Sequence, residues 1–173
     1  MLLCSYNKMA EKKEVYKQSI KQKGYWDYVE LYNFCFNWLK DEGYNLKEKE
    51  YIEKISSFGK EIILKWEASK KITDYFKHVI SVEWHILGMK DAEVEQDGKK
   101  ISTNKGEVKI TIKATLVRDY EERWEDKPFH KFLRGIYEKY VIRTTVDEYE
   151  NDLEDTAKGY IKEIKAFLNL AGR

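Results

Sequence analysis

The chain has 173 residues, 36% of them charged, but 32 Lys and Arg against 31 Asp and Glu leave a formal net charge of +1. A chain of this length buries a core without covalent staples, and so balanced a surface sets up no global field that would demand nucleic acid or a membrane surface. No apolar run approaches the roughly 18 residues of a membrane-spanning helix, and Cys4 and Cys35, with no CxxC spacing, form neither a disulfide framework nor a zinc site, so a reducing, cytoplasmic setting is expected.

Met1 to Cys4 lack the charged start and the apolar stretch of about 7–15 residues of a signal peptide, and Met9 reads as good a start as Met1. Residues 1–12 are expected as a flexible tail and 13–173 as a single α+β domain. Over 13–22, Tyr16 and Ile20 fit both a strand face and an i,i+4 helical pair; a strand is favoured, and Lys12, Lys13, Lys17, Lys21 and Lys23 suit a charged edge that resists aggregation.

Gly24 breaks that pattern, and 25–41 reads as a helix whose polar stripe is only Asp27, Glu30, Asn33, Asn37 and Asp41. Its apolar face, with Tyr25, Trp26, Phe34, Cys35 and Trp38, is much wider than the roughly 100° stripe of an ordinary surface helix. It must touch apolar surface on more than one side. A strand from about Tyr44 to Ile55 follows, then a turn through Ser56 to Gly59. Leu46 and Ile52 on one parity and Tyr51 and Ile55 on the other predict that both of its faces are partly covered.

Three segments then alternate with a strict period of two. Ile62, Leu64, Trp66 and Ala68 share one parity in the first, Ile80, Val82, Trp84 and Ile86 in the second, and Val108, Ile110, Ile112, Ala114 and Leu116 in the third. Side chains on a strand point alternately to opposite faces, so these predict an antiparallel meander with one dry and one wet face. Burying a large apolar side chain contributes about 1.5–3 kcal/mol, so an uncovered dry face would forfeit tens of kcal/mol. Asp97 and Gly98 predict a two-residue type I′ hairpin that pairs Val94 with Ile101 and Glu95 with Lys100. Asn104, Lys105 and Gly106 read as a second turn into a 107–117 strand.

Residues 118–127 form a charged connector, and Pro128 suits the first turn of a helix to about Val141, with Phe129, Phe132, Leu133, Ile136, Tyr137 and Tyr140 on its apolar stripe. Thr145 and Glu148 read as a capping box opening a long helix to about Leu170. Its stripe of Tyr149, Leu153, Ala157, Tyr160, Ile161, Ile164, Phe167 and Leu168 makes it the expected lid of the dry face.

Chemistry is sparse. His78 and His85 lie seven residues apart on one strand, on opposite faces, and cannot share a metal there; His78, on the dry parity, reads as a partly buried, hydrogen-bonded residue, and His130 stands alone. Glu93, Glu95 and Asp97 echo a calcium loop, but Asn104 stands where its bidentate Glu belongs. Asp119, Glu121, Glu122, Glu125 and Asp126 are interleaved with Arg118, Arg123 and Lys127 and neutralise themselves. No Gly-rich phosphate loop, GxSxG, HExxH or Cys/His constellation is present. No catalytic residue, metal ligand or cofactor is therefore assigned, and a non-enzymatic protein is expected. The wet face offers Lys65, Lys109 and Lys113 without stacking aromatics, which argues against nucleic acid.

The element order predicts an α+β fold: an antiparallel meander with an aromatic N-terminal helix and two C-terminal helices packed on one face. That order is similar to the helix-grip architecture of START-like and Bet v 1-like domains, a resemblance that implies a hydrophobic cavity between the sheet and the last helix. Two functions are open. One is protein interaction or assembly, with a protein partner or a second copy meeting the aromatic helix at Trp26, Phe34 and Trp38. The other is a module for a hydrophobic small molecule or lipid, its cavity walled by Trp66, Trp84, Tyr160, Ile164 and Phe167.

Overall fold

The computed structural model describes residues 11–96, 99–118, 120 and 142–171. The elements are β1 (Glu11–Trp26), α1 (Tyr28–Asp41), β2 (Asn45–Ser56), β3 (Gly59–Lys71), β4 (Phe76–Gln96), β5 (Lys99–Arg118) and α2 (Ile142–Ala171). The strands form one antiparallel sheet in the order β1-β5-β4-β3-β2, so β2 to β5 make a meander and β1 returns beside the last strand. Among the described residues there are two helices, one on each side of the strand run; the expected helix at 128–141, His130 and most of the charged connector lie outside them.

The period-two segments form β3, β4 and β5, and all thirteen of their dry positions are at most 1% exposed. The lysine-rich 13–22 segment is part of β1, which borders the sheet. Its Ile20 sits opposite Ile110 and joins the core. α2 lies against β1 and β5, burying Val146, Leu153, Ala157, Tyr160, Ile161, Ile164 and Leu168. α1 covers the β3 and β2 side through Tyr32 and Phe36, whose rings meet Trp66 at 4.9 and 6.2 Å. The dry face thus has two covers rather than one lid.

Several boundaries differ from expectation. Tyr25 and Trp26 belong to β1, opposite Lys105 and Asn104. The helix starts later because Asp27 caps it, accepting from the Glu30 backbone N–H at 2.7 Å, while the Asn104 side chain accepts from the Tyr28 N–H at 3.0 Å. These satisfy two of the donors that a helix N-terminus leaves open. Asn104 to Gly106 is no turn: β5 runs straight through it to Arg118. The chain bends there instead, because β4 carries a bulge between Leu87 and Lys90, with Gly88 at φ 61°, and Gly106 fits beneath it where a Cβ would come within 3.0 Å of the Met89 backbone. The expected pairs Val94 with Ile101 and Glu95 with Lys100 are present, although the turn residues Asp97 and Gly98 lie outside the described residues. α2 is already helical at Ile142, so Thr145 sits inside its first turns rather than at a cap; contact of Tyr149 with Phe76 at 5.3 Å and burial of Val146 draw that end onto the core.

Candidate functional site

The residues expected as interface anchors are used inside the chain. Trp26 is fully buried at the end of β1, Phe34 stacks on Phe167 at 5.0 Å, and Trp38 stacks on Tyr160 at 4.7 Å. Leu31, Cys35 and Leu39 complete the inward face of α1. Burial pushes the Cys35 thiol up to about 12, which leaves it an inert apolar side chain at neutral pH. The Tyr160 hydroxyl donates to the Cys35 carbonyl at 3.1 Å, locking α2 to α1.

The expected cavity walls also meet one another. Trp66 and Trp84 contact at 5.3 Å in an edge-to-face arrangement, Trp66 lies under α1, and Tyr160 and Ile164 are fully buried on α2. One feature of this interior is costly. The indole Nε1 groups of Trp26, Trp66 and Trp84 and both ring nitrogens of His78 are buried without a hydrogen-bond partner among the described residues. An orphaned buried polar group costs about 1–3 kcal/mol. His78 thus has no well-formed hydrogen bond, with the Tyr149 backbone as a polar neighbour; burial holds its pKa below the ordinary range, against raising influences from Asp152 and that backbone. His85 lies on the wet face, with Nε2 3.0 Å from Glu61.

A second region was not foreseen. β2 is the outer strand opposite β1, and both its faces are far less covered than its apolar residues predict: Ile55 is 78% exposed, Tyr51 45% and Ile52 37%. Phe58 in the following turn is 81% exposed, and Val29 in the first turn of α1 62%. The face has an indentation of about 390 Å3 between α1 and β2, lined by Tyr28, Val29, Tyr32, Glu48 and Tyr51. Burial first, then the Glu48 charge, raises the Tyr32 phenol above its usual value; Tyr28 is raised by burial and by Tyr51, Tyr32 and Glu48 beside it. Tyr51 is raised by burial and by the Glu53 carboxylate, so all three phenols stay neutral, presenting an oily floor with a carboxylate at its rim. The one clue in the sequence was apolar residues on both parities of a single strand, which equally suits a strand covered on both faces.

The wet face offers a third surface, a groove of about 580 Å3 lined by residues including Lys12, Glu14, Lys77, Glu83 and Lys113. Two of its carboxylates are paired, Glu14 with Lys113 at 2.8 Å and Glu67 with Lys49 at 3.2 Å, and neighbouring pairs join Lys65 to Glu50 and Lys21 to Glu107. Among the described residues no group of three or more His, Cys, Asp or Glu is placed to hold a metal ion, and no helix is long and apolar enough to cross a membrane. Compared with family models, curated proteins and solved structures, the chain matches none.

Proposed function

We propose that this chain is a non-enzymatic interaction or assembly domain whose contact surface is the β2 edge together with the tyrosine-lined indentation beside it. The surface expected on α1 moves outward by this reading, since Trp26, Phe34 and Trp38 are occupied within the chain. The observation that carries it is the run of exposed Tyr51, Ile52 and Ile55 on an edge strand, paired on one side only, with Phe58 exposed in the turn that follows. An exposed edge with apolar side chains is a template for another strand, and proteins that keep one monomeric normally blunt it. A cytoplasmic setting belongs to the proposal, supported by the free, buried thiol of Cys35. Native mass spectrometry of the purified chain tests it. Wild type is expected as a complex, with itself or with a bound protein, and the Ile55→Lys, Phe58→Lys variant as a bare monomer. A bare wild-type monomer across a concentration series overturns the reading.

A second reading rests on the orphaned donors of Trp26, Trp66 and Trp84. We propose as the alternative that the aromatic layer between α1 and the sheet opens to accept an apolar molecule bearing acceptor oxygens, in a helix-grip-like arrangement supported by β1 lying beside the last strand and α2 following it. Organic extraction of the purified protein, with mass spectrometry of the extract, is expected to yield a bound molecule; an empty extract and an unaltered native mass overturn it.

A further inference from the structure

The β2 edge carries a charge pattern that selects its partner. We infer that the partner is a second copy of this chain, the two β2 strands pairing antiparallel about a two-fold axis at Ile52. This rests on the reading of β2 as an assembly edge and names what occupies it.

Directly opposed residues on antiparallel strands share a face of the sheet, so a two-fold axis normal to the sheet must set some residue of β2 opposite itself. β2 is regular from Glu50 to Ser56, with a bulge between Glu48 and Glu50. An axis at Glu50, Glu53 or Lys54 puts like charges face to face, which is destabilising. One at Tyr51 runs into the bulge on both sides after a single pair. One at Ile55 carries the pairing past the strand end at Ser56 and leaves the charges of Glu50 and Lys54 unopposed.

An axis at Ile52 opposes no like charges, stays within the strand and meets the bulge only after two pairs on each side. Ile52 meets Ile52 of the second copy on the wet face, and Tyr51 lies opposite Glu53. Glu50 lies opposite Lys54, and symmetry supplies that pair twice. Lys54 has no ion-pair partner among the described residues, while Glu50 already holds Lys65 at 2.6 Å. The second copy's Lys54 therefore brings a free cation to a carboxylate fixed in place. In the same register Ile55 of the second copy reaches the dry face beside Glu48 and Tyr51, where the indentation opens. One of the most exposed apolar side chains of each copy thus falls on the oily floor of the other, and the two sheets join into one.

Charge exchange tests the register. Glu50→Lys and Lys54→Glu are each expected to raise the homodimer dissociation constant about tenfold or more, since each turns two opposite-charge pairs into like-charge pairs. Mixing the two variants is expected to restore a dimer, made of one copy of each, because every Lys then faces a Glu. Restoration by mixing also shows that both variants are folded. A second measurement uses Ile52→Cys in a Cys4→Ser background, which is expected to give a disulfide-linked dimer under mild oxidation, while Ser56→Cys, several residues from the axis, is not. A wild-type dimer indifferent to both charge changes, or wild type bound to a different protein, overturns the inference and leaves the assembly reading standing. A wild-type monomer at every concentration overturns both.

Discussion

The two edges of this sheet meet water in different ways. On β1 the apolar residues other than Tyr25, 39% exposed near its end, turn inward: Ile20 and Trp26 are in the core, Val15 and Tyr16 pack against it, and α2 lies alongside with Glu150 held by Lys13 at 2.7 Å. On β2 the charged residues are as frequent, yet Tyr51, Ile52 and Ile55 stay in water. Both strands carry a bulge, so bulges alone do not separate them. The difference is cover: a 30-residue helix packs against β1, whereas α1, at 14 residues, reaches β2 mainly beside Tyr32 and Glu48. Among the described residues, one edge of the sheet is covered by a helix and the other leaves apolar side chains in water.

That contrast is easiest to break with paired truncations. Leu153→Ala, on the buried face of α2, is expected to cost about 2–5 kcal/mol, as for other fully buried leucines. Ile55→Ala is expected to change the stability of the dilute monomer by no more than about 0.5 kcal/mol, while weakening assembly. Urea unfolding at low protein concentration reads both. Equal losses at the two positions would mean that Ile55 is covered within its own chain, and the asymmetry of the edges would be lost.

A smaller effect is expected where the sheet bends. Gly59 has φ 122°, and a Cβ there would lie 2.7 Å from the Gly88 carbonyl carbon. Gly24 has φ 138°, but nothing lies within 4 Å of a Cβ built on it. Both substitutions to Ala carry backbone strain of about 1–3 kcal/mol; only Gly59→Ala adds a clash with backbone that cannot move aside. Gly59→Ala is therefore expected to be the more destabilising of the two in the same urea assay. If Gly24→Ala proves as costly, close packing at the bend is not what places β2 and its turn.

The sheet was legible in the sequence because its central strands are wet on one face only. Period two in β3, β4 and β5 marks the dry positions one by one, and the pairs Val94 with Ile101 and Glu95 with Lys100 follow from the hairpin spacing alone. The stripe of α2 was equally plain, since an amphipathic helix writes its burial into every third or fourth residue. The start of α1 was not: Tyr25 and Trp26 suit a helix face or a strand end, and only Asn104, 76 residues from Tyr28, settles where the helix begins. Gly106 was read as a turn because a glycine needed for close approach inside a strand looks the same in sequence as a glycine in a loop. The β2 surface stayed hidden for a related reason. Apolar residues on both parities signal cover, and whether the cover comes from this chain or another is a tertiary fact.

His78 gives the finest test of how dry the sealed side is, because burial is the strongest influence on its imidazole. Burial lowers its pKa in the folded chain, so folding favours the neutral ring. The unfolded chain binds a proton at the ordinary value of about 6.5. Above that pH the ring is neutral in both states and contributes no pH dependence. As pH falls through about 6.5 toward the lower folded value, the unfolded state gains the proton first, and stability is lost. Between pH 7.5 and 5.5, most Asp and Glu side chains are silent, with ordinary values near 4, so the loss in this window belongs mainly to histidine. His78→Leu is expected to leave stability at pH 7.5 unchanged or higher, since it removes two orphaned ring nitrogens, and to flatten the decline toward pH 5.5. Urea midpoints at the two pH values measure it. An undiminished decline in the variant would place the titrating group elsewhere, and a clear loss of stability at pH 7.5 would mean that the imidazole is hydrogen-bonded after all, through water or a bound molecule. That second result would turn attention back to the orphaned indoles of Trp26, Trp66 and Trp84, because a wet or occupied interior satisfies them by the same means.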